Sequence, residues 1–122
     1  MKVFCYYNLH RHVWSIKALE GQDKGRVIGH SKYVTLRDSK PKVSEAGRQR
    51  VLREQRKNVH AGIVGELMLK DVKMFLTEGE PVDYITYNPY KYSTFVHKDT
   101  EQAYTGSEFA YLDADNRTVV VF

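Results

Sequence analysis

Seven residues near the start restrict the fold more than any others. In Lys2-Val3-Phe4-Cys5-Tyr6-Tyr7-Asn8 the side chains alternate, so that on a strand Val3, Cys5 and Tyr7 share one face and Phe4 and Tyr6 share the other. Residues 12–19 alternate in the same way, and Leu9-His10-Arg11 is short enough to join the two as a hairpin. Gly21-Gln22-Asp23-Lys24-Gly25 is a turn by its residue types. Two short strands are expected to follow, around 26–29 and 32–36, completing an antiparallel meander from residue 2 to 36. The wider composition agrees: fourteen of the 122 residues are Tyr or Phe, and aromatic side chains suit a pleated surface better than a helix.

The pattern changes at Asp38-Ser39-Lys40-Pro41-Lys42. Ser44 is a suitable N-cap, Glu45 suits the positive end of a helix dipole, and 45–57 holds good helix formers apart from Gly47. The apolar content there is only Ala46, Val51 and Leu52, which predicts a surface helix ending at Asn58. Residues 59–69 fit either a buried strand or more helix; Gly62 and Gly65 around branched Ile63 and Val64 favour the strand. A helical turn is expected at 70–76, strands at 84–87 and 92–97 with a bend at Asn88-Pro89, and a closing hairpin of 109–112 with 118–122. The expected fold class is therefore α+β: one domain spanning 1–122, a mostly antiparallel sheet with one basic surface helix.

A chain of this length suffices for one core without covalent staples. Cys5 is the only cysteine, which excludes an intramolecular disulfide and fits a reducing cytoplasm. The apolar start is too brief for a signal peptide, and no stretch approaches the ~20 apolar residues of a membrane helix. A soluble cytoplasmic protein without a membrane partner is expected. The net charge of +4 divides unevenly. Residues 1–60 hold fourteen Lys/Arg against five Asp/Glu, and 61–122 hold five against ten, so the halves carry +9 and −5. Such a split creates either a basic face for a polyanion or two halves that attract each other.

The densest cluster is Arg48, Arg50, Arg53, Arg56 and Lys57. On a helix, Arg53, Arg56 and Lys57 occupy neighbouring positions, Arg50 lies one turn earlier, and Arg48 falls off that face. Guanidinium forks match phosphate oxygens, and every phosphate contact releases a condensed counterion, so these five are candidate nucleic-acid contacts. A solvated helix face with local pairing to Glu45 and Glu54 accounts for them equally well. A second candidate set is Tyr84, Tyr87, Tyr90 and Tyr92, which could stack unpaired bases or anchor a protein interface.

His60 follows the arginines. A histidine beside cations is disfavoured from charging and could act as a neutral base in metal-independent RNA cleavage, the arginines steadying the phosphate. The plainer reading is a strand-initiating histidine bonded to backbone. His10 and His12 would share a face in one strand, with His30 or His60 as a third metal ligand, but no Cys pair, His-Glu-x-x-His or carboxylate triad supports a metal. No Walker-type loop, dinucleotide fingerprint or Gly-x-Ser-x-Gly elbow occurs, so no cofactor is implied and an enzyme is not the first expectation.

Three patches have a familiar look: Val43 through Ala61; Cys5-Tyr6-Tyr7-Asn8-Leu9-His10 with Trp14-Ser15; and Asn88-Pro89-Tyr90 with Ser93-Thr94-Phe95-Val96. Together they resemble a group of small, uncharacterised bacteriophage and prophage proteins. The resemblance implies a phage gene product acting in a bacterial cytoplasm and transfers no catalytic residue. Three functions compete: an accessory protein whose Arg-rich helix binds nucleic-acid backbone, RNA or DNA; an inhibitor that docks on a host protein such as a defence or transcription factor; and a ribonuclease.

Overall fold

The structure, a computed structural model, describes residues 1–8, 10–43, 49, 53, 61–68, 83–87, 95–115 and 118–121. They form nine strands: β1 (Lys2–Asn8), β2 (Val13–Ala18), β3 (Val27–Ser31), β4 (Tyr33–Val43), β5 (Ala61–Met68), β6 (Asp83–Tyr87), β7 (Phe95–His97), β8 (Ser107–Asp113) and β9 (Thr118–Val121). These make one sheet in the order β3-β2-β1-β5-β4-β8-β9-β6-β7, with every neighbouring pair antiparallel.

The expected α+β class is corrected by this sheet. No helix is defined among the described residues. Most of the expected basic helix, 45–57, lies outside them; only Gln49 and Arg53 are described there, as isolated exposed positions with helical backbone. The expected helical turn at 70–76 and the bend at Asn88-Pro89 also lie outside the described residues.

The break expected at 38–42 is a β-bulge inside a long strand. Asp38 takes a left-handed conformation (φ 52°), the register shifts between Arg37 and Lys40, and β4 runs on to Val43. Pro41 is tolerated because pairing of β4 with β8 ends at Ser39, leaving a partner strand on one side only among the described residues. The bulge is pinned by a largely buried ring of hydroxyls, with Ser107 half-buried: Ser39 Oγ to Tyr104 OH (2.6 Å), Tyr104 OH to Ser107 Oγ (2.8 Å), and Ser107 Oγ to Ser39 Oγ (2.8 Å).

The meander holds for β1, β2 and β3 but not for β4. β5, which sequence reading tipped towards strand, enters between β1 and β4 and pairs with both. The predicted final hairpin is present as β8 and β9.

Alternation then divides the sheet into two faces. Val3, Cys5 and Tyr7 of β1 are buried with Trp14, Leu36, Ile63, Ile85, Leu112 and Val119 from other strands. Each large apolar side chain in this group contributes about 1.5–3 kcal/mol by leaving water. The Trp14 and Tyr7 rings meet edge to face, centroids 5.6 Å apart. The opposite face of the same strands carries Phe4 and Tyr6, and the candidate site lies there.

Candidate functional site

Register places one continuous row across four strands of this second face. Lys17 of β2 lies opposite Phe4 of β1, Phe4 opposite Val64 of β5, and Val64 opposite Lys40 of β4. The adjacent row runs Lys2, Glu66, Arg37 across β1, β5 and β4, and Lys42 faces Gly62 one step the other way. Five cations, Lys2, Lys17, Arg37, Lys40 and Lys42, therefore surround Phe4 and Tyr6 on one surface.

Phe4 lies down on this surface because residue 62 has no side chain. A Cβ at Gly62 would stand 2.6 and 2.7 Å from two ring carbons of Phe4 and would collide with the carbonyl oxygen of Cys5. The Phe4 and Tyr6 rings are 6.0 Å apart and tilted by 31°, both half-buried. Gly65 fills the matching role opposite the bulge, where a Cβ would come within 2.9 Å of the Arg37 carbonyl oxygen. Beside it opens a cleft of about 260 Å³ lined by Lys2, Asp38, Lys40, Val64, Gly65 and Glu66.

Two carboxylates share that cleft. Glu66 is engaged by the Met1 amine at 3.2 Å. Among the described residues, Lys17, Arg37, Lys40 and Lys42 form no ion pair. All but Lys17 of the five cations are exposed.

The same face changes character towards β8, β9 and β6. Tyr33 stacks on Tyr111 (centroids 5.9 Å apart, planes 7° from parallel), and its hydroxyl donates to Asp115. That bond, aided by the negative charge of Asp115, pushes the Tyr33 phenol up to about 12. Two strands further on, Tyr84 is 49% exposed beside a cleft of about 240 Å³ that includes Asp83, His97 and Asp99.

The sequence candidates fare unequally. Tyr84 is an exposed side chain on β6, and the backbone of Tyr87 pairs in register with Phe95. Arg53 is exposed. Arg48, Arg50, Arg56, Lys57, His60, Tyr90 and Tyr92 lie outside the described residues. His10 and His12 do not share a strand face: both sit in the β1–β2 turn, where His12 has φ 56° and its Nδ1 lies 3.2 Å from Tyr7 OH. His30 is on β3, its Nδ1 3.0 Å from Ser15 Oγ, and Asn8 Nδ2 donates to the same oxygen at 3.3 Å. Ser15 is fully buried, so this pairing orders β1, β2 and β3 and offers no nucleophile. Among the described residues, no group of three or more His, Cys, Asp or Glu could hold a metal. Burial pushes the Cys5 thiol up to about 12, which keeps it protonated and inert.

Sequence reading missed Lys2, Lys17, Arg37, Lys40 and Lys42 as a group. They are scattered along the chain, and only the insertion of β5 between β1 and β4 assembles them. Their one visible signal was the positive charge of the first half.

No helix among the described residues is long and apolar enough to cross a membrane. A family model described as Mycobacterium phage L5 gene 82 protein matches residues 1–120. The gene 82 protein of Mycobacterium phage L5 is 46% identical over 118 residues, covering 92% of this chain and 90% of that protein. No solved structure matches the chain.

Proposed function

Since the chain belongs to the family of the Mycobacterium phage L5 gene 82 protein, we propose that it is a phage accessory protein that binds nucleic-acid backbone. The observation that carries this reading is the set of five cations on one sheet face, none of which forms an ion pair among the described residues. Side chains that project from neighbouring strands at fixed spacing can meet successive phosphates, and each contact releases a counterion. Arg48, Arg50, Arg53, Arg56 and Lys57 supply a second basic group from the chain between β4 and β5. Nothing in either group reads base identity, so binding is to backbone and weakly dependent on sequence.

The test is retention of short labelled RNA and DNA by the full chain, in chelator, at two salt concentrations. Retention that falls steeply with salt is the expected result. Lys40→Glu with Lys42→Glu, and separately Arg53→Glu with Arg56→Glu, assign it to the sheet face or to the arginine segment. Absence of retention at low salt removes this reading. It would then favour docking on a host protein, for which the exposed Tyr84 is the anchor to mutate first. Intact RNA after incubation excludes the ribonuclease built on His60.

A further inference from the structure

Resting on that reading, we propose that the nucleic acid is single-stranded and that Phe4 and Tyr6 stack two of its unpaired bases.

Three features of the second face converge on this. The rings are neighbours on one strand, with centroids 6.0 Å apart and planes 31° from parallel, so they are not an edge-to-face pair. Both lie on the face turned away from the core, and Gly62 leaves the space in which the Phe4 ring lies down on the sheet. Cations flank the two rings on either side. Lys17 is one strand away and Lys40 is two strands away in the other direction. At ~4.8 Å per strand, those two lysines stand roughly 14 Å apart with the rings between them. Lys2, Arg37 and Lys42 extend the positive border along β1 and β4.

A base stacked on such a ring has its phosphates at the periphery, where the lysines are. A duplex cannot use this arrangement. Its bases are already stacked on each other inside two backbones, and a sheet this broad does not enter a major groove ~12 Å wide. Stacking is tolerant of sequence because every base has a π-face. The carboxylates of Glu66 and Asp38 border only the cleft beside Lys2 and Lys40, and Glu66 is engaged by the Met1 amine. The Tyr33–Tyr111 pair does not offer an equivalent platform, because Tyr33 is already stacked on Tyr111 and Asp113 and Asp115 make its surroundings acidic.

The experiment measures binding of the full chain to a labelled pyrimidine oligonucleotide, made as DNA and as RNA, to an abasic strand of the same length, and to the matching duplex. The abasic strand keeps the phosphates and removes the bases. The base-bearing strand is expected to bind roughly ten-fold or more tightly than either competitor. Tyr6→Ala removes that advantage and leaves abasic binding unchanged, while Tyr6→Phe, which keeps the ring, restores it. Tyr6 is outside the core, and an unchanged unfolding midpoint confirms that the variant folds. Equal binding of base-bearing and abasic strands, or of single strand and duplex, overturns the stacking proposal while leaving backbone binding intact. So does a Tyr6→Ala variant that keeps the preference. Failure of the unaltered chain to bind any of the probes overturns the backbone reading itself.

Discussion

The two ends of the second sheet face use the same material in opposite ways. On β2, β1, β5 and β4, the rings of Phe4 and Tyr6 sit among five cations, none with an ion-pair partner among the described residues. On β4 and β8, the ring of Tyr33 is stacked on Tyr111 and its hydroxyl is spent on Asp115. An aromatic side chain on a sheet is therefore not evidence of binding by itself. What differs is whether its neighbours already satisfy it. The acidic end completes its own interactions, whereas the basic end holds two half-buried rings among cations that are mostly exposed.

The largest expected effect breaks this contrast by charge. Reversing two cations, Lys40→Glu with Lys42→Glu, should weaken nucleic-acid binding on the order of a hundred-fold at low salt and flatten its salt dependence. Neutralising the other end, Asp113→Asn with Asp115→Asn, should change affinity by no more than about two-fold. Titration of labelled oligonucleotide with each double variant checks both. Equal losses from the two ends would mean that the whole surface, and not the basic end, carries the binding.

A second effect sharpens the contrast through the backbone. Gly62→Ala places a methyl group against the Phe4 ring and the Cys5 carbonyl oxygen, so β5 must shift away from β1. A loss of about 1–3 kcal/mol is expected, typical of overpacking. Gly29→Ala, where nothing stands within 4 Å of the new atom, should stay within about 0.5 kcal/mol of the unaltered protein. Urea midpoints of the two variants decide it. Indistinguishable midpoints would show that the seat of Phe4 on the sheet is not built as described.

How far the sequence anticipates this surface depends on the range of the interactions that build it. Local alternation locates Phe4 and Tyr6 on one face and Val3, Cys5 and Tyr7 on the other, and the structure has them so. The glycines at 62 and 65 point to a strand by the same local logic, although not to their purpose beneath Phe4 and beside the bulge. Asp38-Ser39-Lys40-Pro41-Lys42 reads as a terminator because Pro, Ser and Asp disfavour strand interiors. The bulge, the hydroxyl ring of Ser39, Tyr104 and Ser107, and the loss of the β8 partner after Ser39 together override that preference. Arg37, Lys40 and Lys42 join the face of Lys2 and Lys17 only because β5 enters between β1 and β4, a non-local pairing that periodicity does not encode. The α+β expectation rested on a helix at 45–57, and helix propensity is a weak prior; the described residues are almost wholly antiparallel sheet, and that segment lies outside them apart from Gln49 and Arg53.

A smaller effect concerns the underside of the basic end. Cys5 lies between Phe4 and Tyr6 in sequence but on the core face, with its thiol pushed up to about 12 by burial. A thiol reagent at mildly alkaline pH should therefore label the native protein only after unfolding. Gly62→Ala should speed that labelling, because it loosens β5 from β1 over the same residue. Rapid labelling of the unaltered chain would show that β1 opens under native conditions, and the platform would not then be a fixed surface.

The smallest effect belongs to the acidic end and tests its closure. Tyr33 is held at about 12, above its ordinary 10, first by its hydrogen bond to Asp115 and then by that carboxylate's charge. The protonated phenol is the form that the fold favours. Its contribution to stability is therefore complete below pH ~10 and is lost as pH rises from there through about 12, because the unfolded chain gives up the proton first. Tyrosinate absorbance followed through this range should include a late phase that belongs to Tyr33. Asp115→Asn removes the charge and weakens acceptance, so the late phase should move down towards 10. Because Tyr33 is exposed, the accompanying change in stability should be slight. A late phase that is absent from the unaltered protein, or that survives Asp115→Asn, would show that Asp115 does not hold the Tyr33 hydroxyl, and the acidic end would then not be closed in the way that separates it from the basic end.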